Sequence, residues 1–199
     1  MTPPKGSVTT QNYELQLGTN VLGPWLFTEL LTPLLQKTVA SSPPGSVRVT
    51  LAASLATMGS PTGGIAWTAE NTPKLHGDRF TDYAQTKAAN VLLAREYQSR
   101  YGNTGIVSNA WNPGNLLSEL QRHQKGLEAA FTKLLVYPAV LGGYTELFAG
   151  WSEEAGRKEN AGKYVVPWGR FGVLRNDLVT SQEAPKLWAW CEKESQPYR

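Results

Sequence analysis

Apolar residues recur along this chain with two periods, and the places where the period changes mark its elements. Residues 1–9 are rich in Pro, Gly, Ser and Thr, follow neither period and read as a loop. From about Gln11 to Gln36, Leu15, Leu22, Leu26, Leu30 and Leu34 recur at three- and four-residue steps. That spacing predicts a helix with one apolar face, with Thr9 or Thr10 as its N-cap. Gly18, Gly23 and Pro24 interrupt it, and Pro24 lacks the N–H that would bond the Asn20 carbonyl. The interruption is either a plain kink or one that frees this carbonyl to hold a water and turns Asn20 toward a site.

Beyond the turn at Ser41–Gly45, the run Ser46–Ala53 is β-branched and apolar, as in a buried strand that delivers Ser54 at its end. Met58 to Thr81 is a long loop containing Trp67, Leu75 and His76, placed as a substrate-side lid whose large residues are pocket walls or surface packing. Helical spacing returns from about Thr81 to Tyr101, with Ala84, Ala88, Val91 and Leu92 on one side and Gly102 as the stop. A strand is expected over Gly105–Trp111, then a short helix over Ser118–Lys125 and a longer one over Leu127–Trp151. Lys163–Trp168 reads as a last strand and Gln182–Lys193 as a final helix, docked through Leu187, Trp188 and Cys191. Strands alternating with helices predict a parallel α/β sheet with right-handed crossovers.

Composition narrows the function. A chain of 199 residues, 41% hydrophobic and 18% charged, is enough for a single domain over 1–199. The net charge of +3 is scattered, which argues against nucleic acid as a partner. A lone Cys191 excludes an internal disulfide, and His76 and His123 stand far apart without further ligands at metal spacing. No apolar run approaches a membrane span and the first residues do not form a signal peptide, so the expected location is cytoplasmic.

The candidate chemistry centres on Tyr83 and Lys87, four residues apart and therefore on one helical face. A lysine cation and the positive end of a helix both favour a phenolate. Ser54 stands at a strand's carboxyl end, where open α/β sheets bind ligands, although a serine there also serves to satisfy local backbone. The loop Pro113–Ser118 leaves the following strand at the same edge.

With Asn20 in Leu17–Gly23, Ser54 after its strand, Tyr83-x-x-x-Lys87 and Pro113-Gly114 in this order, the chain resembles the short-chain dehydrogenase/reductase family, in particular its retinol-dehydrogenase-like fungal branch. The resemblance implies Tyr83 as acid/base on a carbonyl or hydroxyl and Ser54 as a hydrogen-bond partner of the same oxygen. It implies Lys87 as the residue that depresses the Tyr83 pKa and holds the nicotinamide ribose, and Asn20 as the anchor of a proton relay. Tyr83, Lys87, Pro113, Gly114 and Ser118 would meet an NADP (or NAD) cofactor. Ser118 stands where the family often has Thr, and Ala53 where it usually has a first serine. The chain contains no G-x-x-x-G-x-G, and its first residues resemble the segment after the fourth strand. The implied fold is a truncated Rossmann-like, doubly wound parallel sheet of roughly strands five to seven with flanking helices. About 90 residues of βαβ structure would be absent, leaving Val47–Ala53 as an exposed apolar edge and weakening dinucleotide affinity.

Three functions follow as expectations. The first is NAD(P)-dependent reduction of a ketone, or oxidation of a secondary alcohol, on a small hydrophobic molecule, with Trp67, Leu117, Leu120 and Phe131 as apolar lining. The second is a non-catalytic relic, a homodimer or a partner of a full-length relative. The third is a cofactor-independent isomerase or cyclase that uses Tyr83.

Overall fold

Among the described residues, four short strands form one sheet. The computed structural model describes residues 3–118 and 136–199. Strand β1 (Arg48–Ala52) pairs in parallel with β2 (Val107–Trp111), and β2 in parallel with β3 (Tyr164–Val166). The last strand, β4 (Arg170–Phe171), returns antiparallel against β3, so spatial order equals chain order. The first two strands fall inside their expected ranges. The third is shorter than expected because a turn closed by Gly169 N–H to the Val166 carbonyl, 3.1 Å, reverses the chain. At two residues, β4 is too short to produce an alternation.

The first helix departs from expectation at both its start and its interruption. Helix α1 (Leu15–Leu17) passes through a π turn (Gly18–Leu22) into α2 (Gly23–Val39). Neither Thr9 nor Thr10 caps it. Asn12 takes a left-handed backbone, and Glu14 accepts the Leu17 N–H at 2.8 Å as the cap. The Gly23 N–H reaches back five residues to the Gly18 carbonyl, widening the turn just ahead of Pro24. What Pro24 produces is thus a π turn with Asn20 at its centre.

Helix α3 (Arg79–Tyr101) starts earlier than expected because Asp78 accepts the N–H groups of Phe80 and Thr81 at 3.3 and 3.0 Å. Gly102 does not stop the chain in a left-handed cap. It opens a 3-10 turn, and the left-handed residue is Gly105, where a Cβ would lie 2.7 Å from Val39 Cγ1. The expected short helix over Ser118–Lys125 and the first half of Leu127–Trp151 lie largely outside the described residues, as do His123, Leu120 and Phe131. The remainder is α4 (Val140–Trp151), followed by α5 (Glu153–Gly156), α6 (Asn176–Val179) and α7 (Glu183–Ser195).

Helices α3 and α4 cover opposite faces of the sheet. Leu51 of β1 meets Leu93 and Tyr97 of α3, together with Trp25 and Trp188, whereas Arg48 Nη1 donates to the Ala149 carbonyl of α4 at 3.3 Å. Both helices lie between neighbouring parallel strands that advance the same way across the sheet. The two crossovers are therefore of opposite hand, and right-handedness throughout does not hold.

The core joins α2, α3 and α7 through Trp188. Its ring lies 5.5 Å from Trp25 and 6.2 Å from both Tyr97 and Tyr101, and Arg100 stacks over it at 4.6 Å. Leu187 and Cys191 are fully buried beside it, as their spacing predicts. The expected apolar face of the first helix splits: Leu22 is buried, but Leu30 and Leu34 are 56% and 60% exposed.

Among the described residues, strand β1 is an open edge. Val47 accepts from Val107 N–H and Ala53 donates to the Trp111 carbonyl, so the backbone groups of alternate residues Arg48, Thr50 and Ala52 face away from β2. Phe27, 65% exposed, lies with Val49 and Leu51 along the groove beside this edge.

Candidate active site

The carboxyl end of β1 gathers the residues that the sequence singled out. Ser54 caps the 3-10 turn Leu55–Gly59: its Oγ accepts the Ala56 N–H at 3.2 Å, which leaves its hydroxyl proton to point elsewhere. Tyr83 and Lys87 lie on one face in the first turns of α3, with Lys87 Nζ 5.7 Å from the centre of the Tyr83 ring. Asn20, brought inward by the π turn, donates Nδ2 to Thr86 Oγ1 at 3.1 Å, and Thr86 in turn donates to the Tyr83 carbonyl at 2.8 Å. All four side chains thus meet around one helix turn.

The electrostatics differ from the expectation for an isolated Tyr–Lys pair. Burial pushes the Tyr83 phenol above its ordinary value, while its interaction with the Ser54 hydroxyl pulls it back. Lys87 does not depress it here, because Nζ is turned to the Ala52 carbonyl at 3.0 Å. Burial brings Lys87 itself down to about 8. Asn90, one turn further along α3, donates to the same carbonyl at 2.9 Å, so side chains satisfy an edge acceptor of β1.

Lysine 87 therefore makes stability depend on pH in a definite direction. Between about pH 8 and 10.5 the unfolded state holds a proton that the folded state has released, so this site's contribution rises with pH across that window. Below it both states are charged and the cost of burying the ammonium is constant. In urea unfolding, the stability advantage of Lys87→Met over the natural chain should shrink by up to about 2 kcal/mol from pH 8 to pH 10. An advantage that does not change with pH would show that Lys87 stays charged on folding.

Two residues that sequence reading missed hold this site together. Tyr164 of β3 donates its hydroxyl to the Ser54 carbonyl at 3.0 Å, and burial raises its phenol to about 12. Arg175 donates to the carbonyls of Met58, Ser60 and Pro61 at 3.0, 2.9 and 2.7 Å, and also pairs with Asp177 at 2.6 Å. The alternation within Lys163–Trp168 could have marked Tyr164. Nothing local marks Arg175.

Other expectations need correction. Trp67 does not line the site: its Nε1 donates to Glu183 of α7 at 2.7 Å, and Lys186 stacks on its ring. The long loop is fastened rather than free as a lid, since Gln85 both accepts from Ala66 N–H and donates to the Lys74 carbonyl. Gly114 packs against Pro167 and Trp168, where a Cβ would lie 2.9 Å from the indole ring. Ser118 is exposed at the limit of the described residues. Among the described residues, no three His, Cys, Asp or Glu side chains could hold a metal, and no helix is long and apolar enough to cross a membrane.

Asn20, Lys87, Asn90 and Ala52 form the polar end of a cavity of about 400 Å³ between α2 and β1. Phe27, Leu31, Leu35, Val49 and Leu51 give it an apolar wall, and Arg48 and Thr50 of β1 also line it.

An open, largely parallel sheet with helices on both faces, and polar side chains collected at a strand's carboxyl end, defines a Rossmann-like α/β protein. No family model matches the chain. It is 39% identical over 213 aligned residues to a short-chain dehydrogenase/reductase of Phomopsis amygdali, and 39% identical over 201 to one of Emericella nidulans. Both alignments cover 100% of this chain but only 63% and 64% of those relatives. Among solved structures, an uncharacterised protein of Mycobacterium paratuberculosis superimposes with a TM-score of 0.63 over 96% of this chain and 62% of its own, at 22% identity. NADPH-bound carbonyl reductase from chicken fatty liver superimposes with a TM-score of 0.53 over 87% of this chain and 64% of its own, at 16% identity. The chain belongs to the short-chain dehydrogenase/reductase family and spans somewhat less than two thirds of the length of these relatives.

Proposed function

We propose that this chain carries the acid–base centre of an NAD(P)-dependent oxidoreductase that interconverts an apolar ketone and its secondary alcohol. The observation that carries this reading is the convergence of Asn20, Ser54, Tyr83 and Lys87 around the carboxyl end of β1. The names of the fungal relatives and the NADPH-bound carbonyl reductase neighbour support it.

The donor set suits the nicotinamide end of such a cofactor. Lys87 has one of its three donors on the Ala52 carbonyl and lines an open cavity, so it retains donors for ribose hydroxyls. Lys87, Tyr83 and the Pro113-Gly114 turn would hold that end, Ser118 lies on the same loop, and the bound cofactor supplies the hydride. The 199 residues contain no Gly-rich cradle for the pyrophosphate, so affinity in this chain rests on the ribose end.

In the reductive direction, Tyr83 Oη gives its proton to the substrate oxygen. The Ser54 hydroxyl holds that oxygen in place, its orientation set by the Ala56 N–H and its backbone by Tyr164. Lys87 would hold the ribose beside the Tyr83 ring, and Asn20 steadies the helix turn through Thr86.

Titration calorimetry of the purified chain with NADPH tests this reading, and saturable binding is the expected result. No heat at millimolar NADPH would sink reductase activity for this chain. It would favour an interaction role instead, for which the open β1 edge and the exposed Phe27, Leu30 and Leu34 speak.

A further inference from the structure

We propose that Lys87 is a covalent amine site for apolar aldehydes and ketones, condensing through Nζ with a carbonyl carbon held in the cavity between α2 and β1. This activity needs no nicotinamide and goes beyond the oxidoreductase reading.

The geometry has three parts. Lys87 joins none of the four carboxylate ion pairs among the described residues, and it donates to a neutral backbone carbonyl, that of Ala52. A lysine not bound to a carboxylate can expose its lone pair once its proton is lost. The amine stands at the polar end of an apolar cavity of about 400 Å³, roomy enough for a small aromatic or aliphatic carbonyl compound. Beside it, Asn90 is 3% exposed and lines the cavity, and its Oδ1 is buried without a hydrogen-bond partner. Such an orphaned acceptor is costly unless a ligand supplies a donor. The hydroxyl of a carbinolamine on Nζ is such a donor, and Lys87 and Asn90 stand together because both donate to the Ala52 carbonyl.

The charged groups around the amine do not oppose this chemistry. Arg48, the other cation lining the cavity, donates to the carbonyls of Gly45 and Ala149, and Tyr83 presents its ring from the same helix as Lys87. No carboxylate lines the cavity among the described residues. The lowered proton affinity of Lys87 leaves about half of it neutral near pH 8, whereas an ordinary lysine, near 10.4, is neutral to well under one part in a hundred there.

The step balances without an oxidant or reductant. The nitrogen lone pair forms a bond to the carbonyl carbon, giving a carbinolamine. The carbon–oxygen bond then breaks, the oxygen leaves as water with the two protons that nitrogen has shed, and an imine remains.

Benzaldehyde and hexanal with sodium cyanoborohydride, which traps an imine as a secondary amine, provide the test. The full chain is treated at pH 8 without nicotinamide, and each lysine is followed by peptide mass spectrometry. Lys87 is expected to be alkylated on the order of 10- to 100-fold faster than the exposed Lys37 and Lys158, and the advantage should narrow toward pH 10. Lys87→Arg should remove that fast event and leave labelling of the other lysines unchanged. If the variant does not fold, the rate ratio within the natural chain decides. Labelling of Lys87 no faster than of Lys37 would overturn the proposal. Fast labelling in a chain that gives no heat with NADPH would uphold the amine site and remove the reductase reading, and the reverse pair of results would do the opposite.

Discussion

Replacing Tyr83 by Phe is expected to lower carbonyl reduction by about 10²- to 10⁴-fold at saturating NADPH, the range for removing a positioned proton donor. The substitution deletes one oxygen from a side chain whose ring is held by its helix, so circular dichroism and unfolding midpoint should hardly change. Burial keeps the phenol protonated at neutral pH, the state needed to donate in the reductive direction. The natural chain should therefore reduce its substrate at a rate flat around neutrality and falling only in alkali. In the oxidative direction the proton must be accepted, and the rate should climb with pH instead. Steady-state rates in both directions, for both chains, check this. Undiminished turnover in Tyr83→Phe would remove this residue from proton transfer.

The second large effect is on stability. Trp188→Ala should cost about 3–5 kcal/mol, the range for deleting a buried aromatic side chain, plus about 0.5–1 kcal/mol for the Arg100 stacking contact. Trp188 is 3% exposed and ties α7 to Trp25 of α2 and to Tyr97 and Tyr101 of α3. Domains of this kind are stable by about 5–15 kcal/mol, so one substitution would consume much of the margin. With an m-value of about 2 kcal/mol per molar, the urea midpoint should fall by roughly 1.8–3 M. Trp188→Phe keeps part of the ring contact and should fall much less. A shift in Trp188→Ala as small as that of a surface change would mean that α7 docks independently of this ring. Because α2 continues the π turn that carries Asn20, and α3 carries Tyr83 and Lys87, loosening their common clamp should also blur the site.

Local chemistry made much of this legible. Tyr83 and Lys87 fall on one helix face because their spacing requires it, and the apolar run before Ser54 is a strand because its residues suit nothing else. The failures have identifiable physical causes. Glu14 caps the first helix although glutamate is a weak capping residue, while the better-suited Thr9 binds Tyr13 N–H at 3.3 Å outside the helix. Leu30 and Leu34 keep helical periodicity yet remain exposed, since periodicity gives a face and not what covers it. Tyr164 reaches Ser54 across 110 residues, a pairing that only the sheet creates. The Tyr83 phenol lies above its ordinary value because of burial, which the spacing of Tyr83 and Lys87 does not encode, and Lys87 has another acceptor. The opposite hands of the two crossovers arise from α4 packing beneath Arg48, and no local pattern encodes that.

The backbone groups of Arg48 and Thr50, facing away from β2, set a competition between two reaction orders. Folding of one chain is first order and indifferent to how many copies are present. Capture of an open strand edge by another chain is second order and grows with the square of concentration. Side chains already cap the Ala52 carbonyl, which shortens the vulnerable stretch by one acceptor but does not close it. Abundance, as much as any contact within the molecule, thus decides how long a single copy stays single.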